Sequence, residues 1–129
     1  MNKTQNIKKV LLLDDQQMIL TTLSRMIEIL GGTVTTSTDG KDTLELYKNS
    51  FEKNDPFDLL ILDISIDNGI GADIIIDDLL KIDPDVKAIV SSGDPNHDAV
   101  INYKERGFAS VLLKPFTIDK LKDILDGLD

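Results

Sequence analysis

The sequence predicts an α/β fold: one open, doubly wound, five-stranded parallel sheet with helices on both faces. Three observations carry that expectation. Short apolar runs alternate with segments of helical apolar spacing from one end of the 129 residues to the other, which is the signature of successive strand–helix–strand units. The first of these runs is apolar without alternation, as expected of a strand covered on both sides. No Pro- or Ser-rich linker, repeat or low-complexity tract interrupts the pattern, so the whole chain, 1–129, is expected to form one domain.

The elements follow in order. Val10, Leu11, Leu12 and Leu13 make the first strand. Ile19, Leu23, Met26, Ile27 and Leu30 then recur at helical spacing, and Gly31-Gly32 stops that helix. Residues 33–38 are β-branched and more polar, which suits a strand nearer the sheet edge. Asp39 has the chemistry of an N-cap for a second helix, whose apolar face is Leu44, Tyr47 and Phe51. The third strand covers 57–62. A third helix over 72–82 carries Ile75, Ile76, Leu79 and Leu80. It ends at Asp83-Pro84, because the residue before proline avoids helical backbone. Residues 86–90 form the fourth strand. Asp94-Pro95 reads as an N-cap with proline at the first helical position, opening a fourth helix with Ala99, Val100 and Tyr103 inward and Gly107 as its cap. The fifth strand covers 109–113. Thr117 caps a fifth and last helix with Ile118, Leu121, Ile124, Leu125 and Leu128.

Composition narrows the function classes. Lys and Arg number 14 against 23 Asp and Glu, a net charge of −9 at pH 7. That is the wrong sign for non-specific nucleic-acid binding or for docking on an anionic membrane. The absence of cysteine excludes disulfides, thiolate metal sites and cysteine nucleophiles, and fits a reducing cytosol. The first apolar run is too short for a signal-peptide core or a membrane span. A soluble, cytoplasmic protein is expected.

The chemistry gathers at strand ends. Asp14 and Asp15 follow the first strand, Asp63 the third, Ser91 and Ser92 the fourth, and Lys114 the fifth. In an open parallel sheet, ligands bind outside the carboxyl ends of the strands, where the strand order switches. These residues are remote in sequence, yet one architecture brings them together. Three neighbouring carboxylates repel one another and raise each other's pKa. A hard divalent cation, Mg²⁺, resolves that repulsion and commonly links carboxylates to a phosphate. An aspartate left free can act as a nucleophile and form an aspartyl-phosphate. A lysine ammonium and a serine hydroxyl then serve the remaining phosphoryl oxygens.

Asp14-Asp15, Asp63, Ser91-Ser92-Gly93 and Lys114-Pro115-Phe116 together identify a resemblance. Over nearly its whole length the chain resembles the receiver domain of two-component response regulators. The glycine-containing loop after Asp63 and the serine stretch look most like receivers attached to hybrid sensor kinases. The resemblance implies a flavodoxin-like strand order, 2-1-3-4-5, with Asp63 as the phosphoacceptor. It implies Mg²⁺ held by Asp15 directly, Asp14 partly through water, Asp63, and the backbone carbonyl of Ser65. Lys114 would contact the phosphoryl group, and Lys114-Pro115 would be a cis peptide. Ser92 would be the switch hydroxyl. Ser91 is the competing choice, since the register at this strand end is uncertain by one residue.

The implied function is a phosphoacceptor switch rather than an enzyme with a separate substrate. It would take its phosphoryl group from a sensor histidine kinase or histidine phosphotransfer protein, promote its own slow dephosphorylation, and control a downstream partner or attached domain that the sequence does not name. Dimerisation on phosphorylation stays open. Two departures stand out. Asp67 occupies a position where proline is common, and Val111 one where an aromatic residue or histidine usually couples to the switch hydroxyl. His97 is expected to be exposed and has no assigned role. Among the alternatives, a phosphohydrolase with an aspartate nucleophile would want a second acid two residues on, where Gln16 and Ser65 stand. A calcium loop starting at Asp63 would need a glutamate where Ile74 stands. A flavodoxin-like binding module would leave the acids and the lysine unexplained.

Overall fold

The computed structural model describes residues 7–128; the expected domain bounds, 1–129, reach beyond these at both ends. The elements run β1 (Lys9–Leu13), α1 (Gln17–Ile29), β2 (Thr33–Ser37), α2 (Gly40–Glu52), β3 (Leu59–Asp63), α3 (Ala72–Ile82), β4 (Ala88–Ser92), α4 (Asp98–Ile101), α5 (Tyr103–Arg106), β5 (Ser110–Leu113) and α6 (Ile118–Asp126). The strands form one parallel sheet in the order β2-β1-β3-β4-β5, the order and class expected.

Successive side chains of a strand point to opposite faces, and here both faces are covered. Leu11, Leu13, Leu60, Leu62, Ala88 and Val90 pack with Ile75, Ile76, Leu79, Ala99 and Phe108. Val10, Leu12, Leu59, Ile61 and Ile89 pack on the other face with Leu20, Leu23, Ile27, Leu121 and Leu125. Burying each such side chain is worth about 1.5–3 kcal/mol. That burial pulls β1 and β3 into the centre and leaves the more polar β2, with Thr33 and Thr36 exposed, at an edge.

Helix ends follow local chemistry. Gly31 takes the left-handed backbone (φ 99°) after α1. Its N–H donates to the Glu28 carbonyl, and that of Gly32 to the Ile27 carbonyl. This is a Schellman termination, which glycine accommodates without a Cβ penalty. The Thr117 hydroxyl accepts from the Lys120 N–H and caps α6.

Four expectations are corrected. Among the described residues there are six helices rather than five, because the segment before β5 splits at Asn102, whose backbone (φ −106°, ψ 34°) leaves the helical region. The Asn102 N–H still donates to the Asp98 carbonyl, and its side-chain amide donates to the Asp98 carboxylate at 2.8 Å. Asp94 does not cap this segment: its carboxylate accepts from the Asn96 N–H in a turn. The cap is His97, half-buried rather than exposed, whose Nδ1 accepts from the Ala99 N–H at 3.1 Å. Strand limits also shift. Phe57 is buried but lies outside β3, and Ser91 and Ser92 are the last two residues of β4 rather than part of the following loop.

Candidate functional site

Asp63 is the last residue of β3, aligned with Ser91 of β4, and only 3% exposed. Asp14 directly follows β1. Its N–H donates to the Ser37 carbonyl of β2, carrying the ladder one step past the strand. Asp15 comes next and is half-buried. Carboxylate oxygens of Asp14, Asp15 and Asp63 all lie within 4.8 Å of one another. The pairing that places β1 beside β3 therefore brings Asp63 to the adjacent Asp14 and Asp15 and makes one cluster. An all-carboxylate donor set of this kind suits a hard divalent cation, so the residues fit Mg²⁺.

Lys114 closes the cluster from β5. Its N–H donates to the Ser92 carbonyl at 2.8 Å, and its Nζ lies 2.8 Å from Asp14 Oδ2 and 3.3 Å from Asp63 Oδ2. The Lys114–Pro115 peptide is cis. Burial first, and the Asp14 charge second, push the Asp63 carboxyl up from 3.8 to about 6, while Lys114 and the Ser65 N–H oppose them. Burial alone would pull the Lys114 ammonium down. The bonds and charges of Asp14 and Asp63 outweigh it and hold the ammonium above its ordinary range.

The remaining expected residues sit around this centre. Ser65 has an exposed side chain, and its N–H lies 3.4 Å from Asp63 Oδ1. Ser92 aligns with Leu113 of β5. Its Oγ accepts from the Asp94 N–H at 2.9 Å and lies 3.3 Å from the Asp94 carbonyl. Ser91, aligned with Asp63, shares the pleat of Ile89, whereas Ser92 shares that of Val90. Val111 is half-buried and packs against the core that contains Val90.

Neither acid after β1 caps α1, whose N-cap, Gln16, makes no side-chain bond to the helix. Asp14 Oδ1 accepts from the Gln16 N–H and Asp15 Oδ2 from the Asp67 N–H. Sequence reasoning missed Asp39. Its side chain makes no bond to α2 and accepts instead from the Ile70 N–H in the loop after Asp63. The residue type signals only a cap, and nothing near it in sequence points to Ile70.

A doubly wound parallel sheet with acids gathered at its carboxyl edge defines a class of ligand-handling α/β domain. The chain belongs to the response regulator receiver domain family, whose model matches residues 10–126. It is 30% identical to the chemotaxis protein CheY of Thermotoga maritima over 92% of this chain and 95% of that protein. It is 29% identical to the two-component response regulator ARR10 of Arabidopsis thaliana, over 90% of this chain. Against the plant and yeast regulators that it matches, the chain spans about a fifth of their length. Among solved structures, it resembles a receiver domain from Clostridium thermocellum, with TM-score 0.79 and 25% identity over 92% of this chain and 90% of that one. The fold also matches a CheX–CheY–BeF₃–Mg²⁺ complex from Borrelia burgdorferi, with TM-score 0.84 and 20% identity over 95% of each chain. The chain is thus a receiver domain of the kind found in signalling proteins, similar to CheY over nearly its whole length. Among the described residues, no helix is long and apolar enough to cross a membrane.

Proposed function

We propose that Asp63 accepts a phosphoryl group from the phosphohistidine of a sensor histidine kinase or histidine phosphotransfer protein, with Mg²⁺ bound. The resulting change controls a partner or an attached domain, and the chain is read over 1–129 as a single receiver domain. The observation that carries this reading is the meeting of Asp14, Asp15 and Asp63 with the Lys114 ammonium at one sheet edge.

Asp14, Asp15, Asp63 and the Ser65 carbonyl are the residues that would hold Mg²⁺. Bound there, the ion supplies positive charge against the carboxylates and the incoming phosphoryl oxygens. An Asp63 oxygen attacks phosphorus, the P–N bond breaks, and the departing imidazole takes up a proton. Lys114 neutralises a second phosphoryl oxygen. The 3.3 Å separation already present between its Nζ and Asp63 supports that role. Ser92 is the switch hydroxyl. Its two contacts with the Asp94 backbone support a readout, because a hydroxyl drawn toward the phosphoryl group must release that turn. Val111 has no large ring to rotate, so the response is carried by this turn and by α4 and α5 after it. Slow hydrolysis of the acyl phosphate by water resets the switch.

The test is intact mass after incubation with acetyl phosphate. Wild type gains one phosphoryl group with Mg²⁺ and none in EDTA, and Asp63→Asn gains none. Equal labelling of Asp63→Asn would place the acceptor elsewhere and overturn the reading.

A further inference from the structure

We propose that Asp39 is a positioning residue for this site: from the turn between β2 and α2 it fixes the loop that joins β3 to α3. The inference rests on the proposed phosphoacceptor function, since that loop carries Ser65. Asp39 stands at the N-cap position of α2 with extended backbone, yet its side chain leaves the helix amides alone. Its Oδ1 accepts from the Ile70 N–H at 3.0 Å, while the next residue, Gly40, donates its own N–H to the Ile70 carbonyl at 2.9 Å. Two adjacent residues thus hold both backbone polar groups of Ile70.

The surroundings are shaped for this grip. A Cβ on Gly69 would run into Asp39 Oδ1, and one on Gly40 would lie 2.5 Å from the Ile70 carbonyl oxygen. Neither glycine is in the left-handed region, so what they provide is close approach. The other side of the loop is held by Asp15, through the Asp67 N–H at 2.8 Å. The anchor is itself fixed. The Asp39 carbonyl accepts from the Thr43 N–H at 3.1 Å, and the Thr43 hydroxyl is 2.7 Å from the buried Ser37 hydroxyl, which donates to the Leu12 carbonyl in β1. A hydrogen-bonded path therefore joins the loop to the strand that precedes Asp14.

A helix cap and a loop anchor are separable by substitution. Serine caps helices well but is too short to reach Ile70; asparagine keeps an oxygen at the Oδ1 position. The experiment uses the full chain carrying Asp39→Ala, Asp39→Ser or Asp39→Asn. It reads two quantities: hydrogen-exchange protection of the Ile70 amide, and Mg²⁺ affinity by calorimetric titration. Far-UV circular dichroism establishes that each variant is folded. Asp39→Ala and Asp39→Ser lose Ile70 protection and bind Mg²⁺ about tenfold more weakly, the low end of the cost of losing a group that orients metal ligands; Asp39→Asn restores both. If serine restores them as well as asparagine does, Asp39 is a helix cap and the proposal is wrong. Wild type that binds Mg²⁺ no better than Asp39→Ala does, with both measurably binding, overturns this inference alone. Wild type that binds no Mg²⁺ and takes no label overturns the functional reading with it.

Discussion

Asp63 is almost fully buried beside another carboxylate, and its ionisation works against folding. Its carboxyl rises from 3.8 to about 6 on folding, chiefly through burial, so the native state holds the proton more tightly than the unfolded chain does. Stability is then fullest below the unfolded value and falls as pH climbs through the folded one. Removing the charge reverses this. In EDTA, Asp63→Asn should be more stable than wild type by on the order of 2 kcal/mol at pH 7.5 and by little at pH 4. Urea unfolding at the two pH values checks this; a gain independent of pH would show that the carboxylate's charge is not its origin. The same residue is where the sequence was most legible. Asp14, Asp63 and Lys114 each stand where an apolar run stops, so a parallel sheet places all three along one edge. Asp39 offered no such signal, because its partner is 31 residues away and aspartate before a helix looks the same whether or not it caps.

Between β3 and α3 the chain must turn sharply beside the acids, and Gly71 makes this feasible. A Cβ there would collide with the Ile64 carbonyl oxygen, which is backbone and cannot step aside. The Gly71 backbone (φ −110°, ψ −167°) is open to any residue, so the obstacle is contact rather than strain. Gly71→Ala should therefore destabilise the fold by about 1–3 kcal/mol, the usual range for forced overpacking, measured as a lower urea midpoint. An unchanged midpoint would mean that the loop can shift freely. The segment from Asp94 to Gly107 was less legible. Asp94-Pro95 carries the residues of a helix start, but the Ser92 hydroxyl takes the Asp94 N–H and the Asp94 carboxylate takes that of Asn96. Those bonds make a turn, and α4 begins only after His97. Side chains competing for the same few amides decided the outcome, and their choice depends on where β4 ends.

For the molecule as a whole, the two apolar cores on either side of one sheet were the most legible feature, because unbroken apolar runs leave a strand no solvent face. That division predicts an uneven map of sensitivity. Leu11 is fully buried and Ile29 is 73% exposed. Leu11→Ala should cost about 2–5 kcal/mol of unfolding free energy, and Ile29→Ala less than about 0.5 kcal/mol, both by urea denaturation. Comparable losses at the two positions would contradict that difference in burial. Strand order was legible only through family resemblance: alternation of strands and helices requires a parallel sheet but does not say which strand lies beside which. The order matters because it puts β1 next to β3, and the acid cluster exists only through that adjacency.

The reach of Lys114 has a mechanical consequence. β5 is an outer strand, paired with β4 alone, and the lysine just past its end extends over β4 to the ends of β3 and β1. It acts as a tie-rod across the open mouth of the sheet, fastened at its far end to two anchors that compete for it. A dianion added at Asp63 would strengthen one anchor at the expense of the other and change the tension on the outermost strand, without any rearrangement of the well-packed strands between. The centre of the sheet can stay rigid while its margin answers.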